Sequence, residues 1–468
     1  MKNLKIKSNP LLLIVLAGAQ LACASILKGQ TTTNSQEDIQ ALQLEIQQMQ
    51  QKVNVLERQQ QEAQQAQANA IQASPRLTVG TDGVNFISAN SNFVASLHAW
   101  VQVDSRTFFE DIKAPGTDGF LIRRARPIFQ ATVFHNFDFM LMPEFAGSGA
   151  PQILDTYINY HPIPELQFQT GKFKPPVGLE NLEPDIYTFL NERSLATDLV
   201  PYRSIGAELH GDLFGGVFSY AGGVFNALPD YTTTTINSDP DNDLAFVGRL
   251  FTMPFKETSL SPLQGLGFGV SGSYERDGTN AAAAGLTPGY TTDGQEKFFT
   301  YATSTVPHGP HWRISPQGYY YYGPLGIMAE YVVSDQDVKK ITAPVATADL
   351  KNTAWEVQGG WVLTGENDSY MGVTPRHPFS IHDGGWGAWQ VVGRYEELHV
   401  DSGAFPEYAS LATSASDAHA WAAGVNWYLN NNLRANLSFS HTIFTGGTTG
   451  AVTKQAENVF FTRMQLAF

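Results

Sequence analysis

The chain has 468 residues, 43% of them hydrophobic, and only 16% are charged, against roughly 25% in soluble chains. A formal charge of -15 argues against nucleic acid as a partner, because neutralising phosphates requires basic patches. Mean hydropathy of -0.18 excludes a series of helical membrane spans, yet aromatic residues reach 12% and glycines number 42. A barrel that carries its aromatics on a lipid-facing surface accommodates that composition.

The N-terminus has three parts. Lys2, Lys5 and Lys7 form a basic start, Leu11 to Ala19 a short apolar run, and Ala22-Cys23-Ala24 a small-residue cleavage site. This is a secretory leader over residues 1–24, and its apolar run is too short to span a bilayer. Its removal takes the formal charge from -15 to -18 and removes the one cysteine, Cys23. Lipidation at Cys23 is the alternative, weakened by Gln20 where a lipobox has an aliphatic residue. With one cysteine no intrachain disulfide or thiolate metal site forms.

A stalk is expected over residues 25–75. Residues 36–72 lack Gly and Pro, and Ile39, Leu42, Ile46, Met49, Val53 and Leu56 alternate spacings of three and four, an a/d seam. The seam weakens at Gln60 and Gln67, and Ser74-Pro75 stops the helix. β-Branched a positions lean locally toward two strands. A lone Gln-rich helix is the competing reading.

The fold class is all-β: a transmembrane antiparallel barrel of about sixteen strands over 76–468, preceded by the α-helical coiled-coil stalk. From residue 92 the chain alternates with period two. Leu97, Val101 and Val103 share one face, and Gln102, Asp104 and Arg106 share the other; Phe460, Met464 and Leu466 oppose Phe461, Arg463 and Gln465. A soluble sandwich would show the same alternation with its senses exchanged. Loop lengths favour the membrane barrel. Short turns at 135–136, 162–165, 214–216, 323–324 and 430–432 alternate with long loops at 174–204, 227–243, 278–311, 336–352 and 400–416. An even count puts both termini, and the stalk, on the short-turn, periplasmic side. The terminal Phe468 resembles a barrel-assembly signal.

Six stretches then resemble the phosphate-selective porin O/P family. They are LIRRARPIFQATVFHNFDFMLMPEF at 121–145, TGKFKPPVGLE at 170–180, FLNERSLATDLVPYRSIGAELHGD at 189–212, GYYYYGPLGIMAEYV at 318–332, WVLTGE with RHPFSIHDGGWGAWQVVGRY within 361–395, and YLNNNLRANLSFSHTIFTGG at 428–447. The resemblance implies a sixteen-stranded, trimeric, anion-conducting outer-membrane porin. It also implies a lumen narrowed by an inward loop, matched at 174–204, and by an inward periplasmic turn, matched at 365–386. Partners would be outer-membrane lipid, further copies of the chain, and small inorganic anions such as phosphate; the stalk could reach the cell wall.

Such pores pass anions along cationic side chains. The candidates are Arg106, Arg124, Arg126, Lys172, Lys174, Arg193, Arg203, Arg249 and Arg394. Arg124 and Arg126 share a face with Gln130 and Thr132, whereas Arg123 and Leu121 fall on the lipid face. Asp104, Asp138, Glu144, Glu208, Glu330, Glu356 and Glu396 also point inward, so ion pairing competes with anion binding. If Glu144 pairs with Arg126, selectivity should be mild. Tyr319 to Tyr322 read as girdle and lumen wall rather than a sugar-stacking strip. His308 and His311 read as plain loop residues. No metal, cofactor or catalytic constellation is expected: there is no GxSxG, P-loop or dinucleotide fingerprint. A general or cation-tolerant channel and a stalked adhesive β-domain remain alternatives.

Overall fold

The computed structural model describes residues 35–72, 74–109, 116–147, 149–230, 244–278, 289–447 and 454–468. The expected leader, with Cys23, lies outside them. The chain divides into two units, Met1–Ser74 and Pro75–Phe468. Among the described residues of the first, α1 (Ser35–Gln72) is the one helix, and it spans the 36–72 segment read as helical. Its seam residues Ile39, Leu42, Ile46, Met49, Val53 and Leu56 are all exposed.

The second unit is a closed barrel. Its first nine strands are β3 (Phe93–Phe108), β4 (Gly119–Val133), β5 (Phe137–Glu144), β6 (Gln152–Ile163), β7 (Leu166–Phe173), β8 (Ser204–Leu213), β9 (Phe218–Phe225), β10 (Ala245–Thr252) and β11 (Leu266–Asp277). Seven more follow: β14 (Thr305–Tyr322), β15 (Leu325–Lys340), β16 (Ala346–Val362), β17 (Ala388–His399), β18 (Ala415–Tyr428), β19 (Leu433–Gly446) and β20 (Glu457–Ala467). Each strand pairs antiparallel with the next, and β20 closes on β3 from Val459↔Phe108 to Ala467↔Trp100. Lipid offers no hydrogen-bond partner to backbone groups, so a sheet can span it only without free edges. Where β20 ends, a rim hairpin of β1 (Arg76–Gly80) and β2 (Gly83–Ile87) takes its place, β2 pairing with Val94 to Leu97 of β3. Among the described residues, strands β12 (Tyr290–Thr291) and β13 (Lys297–Phe299) pair only with each other, within the β11–β14 connection.

The alternation has the membrane sense. On β19, Arg434, Asn436, Ser438, Ser440 and Thr442 are buried inside the barrel, while Leu437 and Ile443 are exposed outside. On β3, Gln102 is 0% exposed beside Val101 at 38%. A soluble sandwich is therefore ruled out as the fold.

Three strands run longer than the sequence pattern predicts. Residues 336–340 and 346–352 belong to β15 and β16, and 305–311 to β14, so the expected loop 336–352 shrinks to 341–345. There the outward positions carry Asp335, Asp337, Lys339 and Asp349. These strand ends lack the apolar outer face that makes the period visible.

The loop between β7 and β8 folds inward. Gly178, at φ 83, turns the chain into a short helix, α2 (Leu179–Leu182). The barrel wall grips this loop mainly by its backbone. The Glu330 carboxylate accepts from the N–H of Leu179 at 2.9 Å and of Glu180 at 3.3 Å. Glu396 accepts from Leu195 N–H at 2.6 Å. Arg434 donates to the carbonyls of Ile186, Thr188 and Phe189, and Asn426 also donates to Phe189. The long connection 363–387 also turns inward: Tyr370 stacks on Tyr319 and its hydroxyl donates to Leu179 O at 2.7 Å.

Candidate functional site

The loop lays its residues 185–193 against the inner face of β3, β4 and β20. Arg106, Arg124, Arg126 and Arg463 come from that wall; Asp185, Glu192 and Arg193 come from the loop. A cavity of about 440 Å³ opens beside them, lined by Arg106, Arg123, Arg124, Arg126, Arg193 and Glu192 among others. A second cavity of about 430 Å³ opens toward the short-turn rim, lined by Trp100, Ile128, Gln130, Tyr187, Arg434 and Gln465 among others. Gln102, Arg124, Arg126 and Asp185 are all buried.

Arg123 belongs to this site, contrary to the sequence expectation that it faces lipid. The register of β3 and β4 passes from Gln102↔Arg124 to Val103↔Ile122, leaving Arg123 as an inserted residue. Such a bulge puts two residues opposite one and shifts the phase of the strand beyond it. Arg123 and Leu121 therefore turn inward, and both line the arginine cavity, while Phe120 and Ile122 take the outer face.

Every arginine of this wall has a carboxylate partner. Glu192 receives Arg123 through two bonds of 2.7 and 2.8 Å, Arg463 at 2.9 Å, Arg106 at 3.5 Å and Arg124 at 3.8 Å. Asp185 receives Arg124 at 3.2 Å, together with Arg126 and Arg193. Arg126 also pairs with Glu144 at 2.6 Å, and Arg463 with Asp104. Six guanidiniums thus meet four carboxylates. Burial alone would disfavour the charge of Asp185, but Arg124, Arg193 and Arg126 hold its pKa well below the usual carboxylate range. Arg123, Arg124 and Arg463 do the same for Glu192, against its burial.

The other candidates take different places. Arg203 is buried in a bidentate pair with Asp155 at 2.9 and 3.0 Å. Arg394 is buried behind the loop with Asp293, Glu396 and Glu180. Lys174 is no lumen cation. Its ammonium donates to the carbonyls of Asn181 and Glu183, and burial, with Arg193 nearby, pushes its pKa down to about 7. Lys172 takes the outward phase of Phe168 and Thr170, opposite Ile205, and does not line the arginine cavity. Arg249 faces inward over the Phe251 ring and donates to Gln317; no described carboxylate lies within ion-pair distance of it.

His308 and His311 lie in β14, not in a loop. Among the described residues, Glu275, Asp277 and His311 form the one group that brings three possible metal ligands together. Arg313 already serves that cluster as its cation, at 3.3 Å from Glu275 and 3.1 Å from His311 Nδ1. The inward phase of Arg313 and Arg434 is legible in their polar neighbours at two-residue spacing, His311 and Ser315 on one strand and Asn436 on the other.

A closed barrel with an apolar exterior, a polar interior and an inward loop is a membrane channel of the porin class. The chain belongs to the phosphate-selective porin O and P family, whose model matches residues 97–468. Porin O of Pseudomonas aeruginosa is 23% identical over 412 residues, covering 77% of this chain and 88% of that protein. Among solved structures, the outer membrane channel DcaP of Acinetobacter baumannii is similar at TM-score 0.52 and 10% identity, over 81% of this chain and 98% of its own. The anion-selective porin from Comamonas acidovorans gives TM-score 0.48 and 10% identity, over 80% and 100%. The protein is an outer-membrane porin channel.

The buried Arg203–Asp155 pair offers a direct stability test. Replacing Arg203 by Ala strands a buried carboxylate, an expected cost of about 3–5 kcal/mol. Thermal unfolding followed by gel migration should show a lowered midpoint that Asp155→Ala largely restores.

Proposed function

We propose that this channel passes small solutes by passive diffusion with a mild preference for small inorganic anions, and that it holds no tight phosphate site. The observation that carries this reading is the arginine wall, in which six guanidiniums face four carboxylates. The local excess of two positive charges attracts anions, but no unpaired pair of guanidiniums stands ready to grip one. Closure of the Arg126–Glu144 pair is the arrangement expected to give mild selectivity. An adhesive β-domain fits less well, because the apolar residues face outward.

The expected test uses the Arg124→Ala, Arg126→Ala double variant in planar bilayers under a salt gradient. Its reversal potential should move toward cation preference. The shift should be larger at 0.01 M salt, where the Debye length is about 30 Å. An unmoved potential at low salt would make these arginines purely structural.

We also propose that the mature chain begins at Ser25, assembles as a trimer in outer-membrane lipid, and sends its stalk into the periplasm, where it could reach the cell wall. The trimer is what the resemblance to this family implies. Support for the stalk comes from the exposed Ile39/Leu42/Ile46/Met49/Val53/Leu56 stripe, which is costly in water unless covered. The N-terminal mass of protein purified from membranes should correspond to Ser25; a diacylated Cys23 would overturn the cleavage. A peptide of residues 36–72 should become more helical as its concentration rises, and helicity independent of concentration would favour a lone helix.

A further inference from the structure

We propose that Asp185 is a resident anion: its carboxylate occupies the pore's own oxyanion site, formed by Arg124, Arg126 and Arg193, and so sets how weakly the channel holds passing anions. The proposal rests on the arginine cavity lying on the conduction path.

Three guanidiniums converge on this one carboxylate. Arg124 reaches Oδ1 at 3.2 Å, Arg193 contacts Oδ1 and Arg126 contacts Oδ2. Asp185 is 2% exposed, and all three arginines are nearly as buried. Charge-assisted bonds from several guanidiniums are what a carboxylate, phosphate or sulfate oxygen seeks. A free oxyanion would meet the same donors, but here the ligand is covalently part of the loop and cannot diffuse away.

The side chain is not what seats the loop. The Asp185 carbonyl accepts from Gln102 at 3.2 Å, and the next residue's carbonyl accepts from Gln465 at 3.1 Å and Arg434 at 3.2 Å. Glu330 and Glu396 hold the loop elsewhere through backbone N–H groups. Removing the carboxylate should therefore vacate the arginine site without releasing the loop. Glu192 stands in the same relation to Arg123 and Arg463, one station further along the wall.

The experiment compares the full-length protein with Asp185→Ala, and with Glu192→Ala as a second variant, in planar bilayers. Chloride-over-potassium permeability and block of chloride current by inorganic phosphate are both measured. Removing one negative charge within several ångströms of a passing ion should raise the permeability ratio about threefold or more. Phosphate should block Asp185→Ala at a concentration about tenfold lower or less than wild type, because an oxyanion now takes the vacated place. Unchanged selectivity and block in both variants would overturn the proposal. So would a larger conductance without anion preference, which would mean that Asp185 merely staples the loop. If the Arg124→Ala, Arg126→Ala variant also leaves the reversal potential unmoved, the cavity is off the path, and this proposal falls together with the proposed function. If that variant shifts and the two carboxylate variants do not, only the resident-anion proposal falls.

Discussion

Inside a bilayer each backbone N–H and C=O must find its partner within the protein, and most features of this molecule descend from that constraint. Pairing β20 with β3 removes the free edges of the sheet. Closure fixes the two faces: every residue that turns away from lipid turns into the lumen. A lumen filled with polar side chains and inward loops then becomes a place where charges are crowded and partly dehydrated. Unpaired charges are expensive there. The dense matching of Arg123, Arg463 and Arg106 to Glu192, and of Arg203 to Asp155, follows from that cost.

Pairing and conduction pull against each other. A fully neutralised wall is stable but indifferent to the ion that passes, whereas a wall of bare guanidiniums would grip anions and destabilise the loop beside it. This wall lies between those limits. Its surplus is small, and its carboxylates come from both barrel and loop: Asp104 and Glu144 from strands, Asp185 and Glu192 from the β7–β8 connection.

The barrel was legible in the sequence because lipid enforces period two over long stretches. The sixteen strands fall where the alternation of residues such as Leu97/Gln102/Val103 or Phe460/Phe461/Met464 places them. Two kinds of feature were not legible. One is a local break of period: nothing in Arg123-Arg124 announces that one of them is inserted, and the bulge alone reverses the sides of Arg123 and Leu121. The other is the inward loop. Its sequence could be matched to a family pattern, but which carboxylate meets which arginine depends on packing among chain segments that are far apart. The first kind includes the strand ends beyond the lipid, where water on the outer side removes the apolar half of the signal.

The grip on the β7–β8 loop is made largely to its main chain. Glu330 and Glu396 take amide hydrogens, and Arg434, Asn426 and Gln465 reach carbonyls. A path held in this way is indifferent to many of the side chains it carries. Lumen-facing residues on the loop can be exchanged while its course persists, so one scaffold can be retuned from solute to solute by few changes. Divergence in selectivity then need not wait for divergence in architecture.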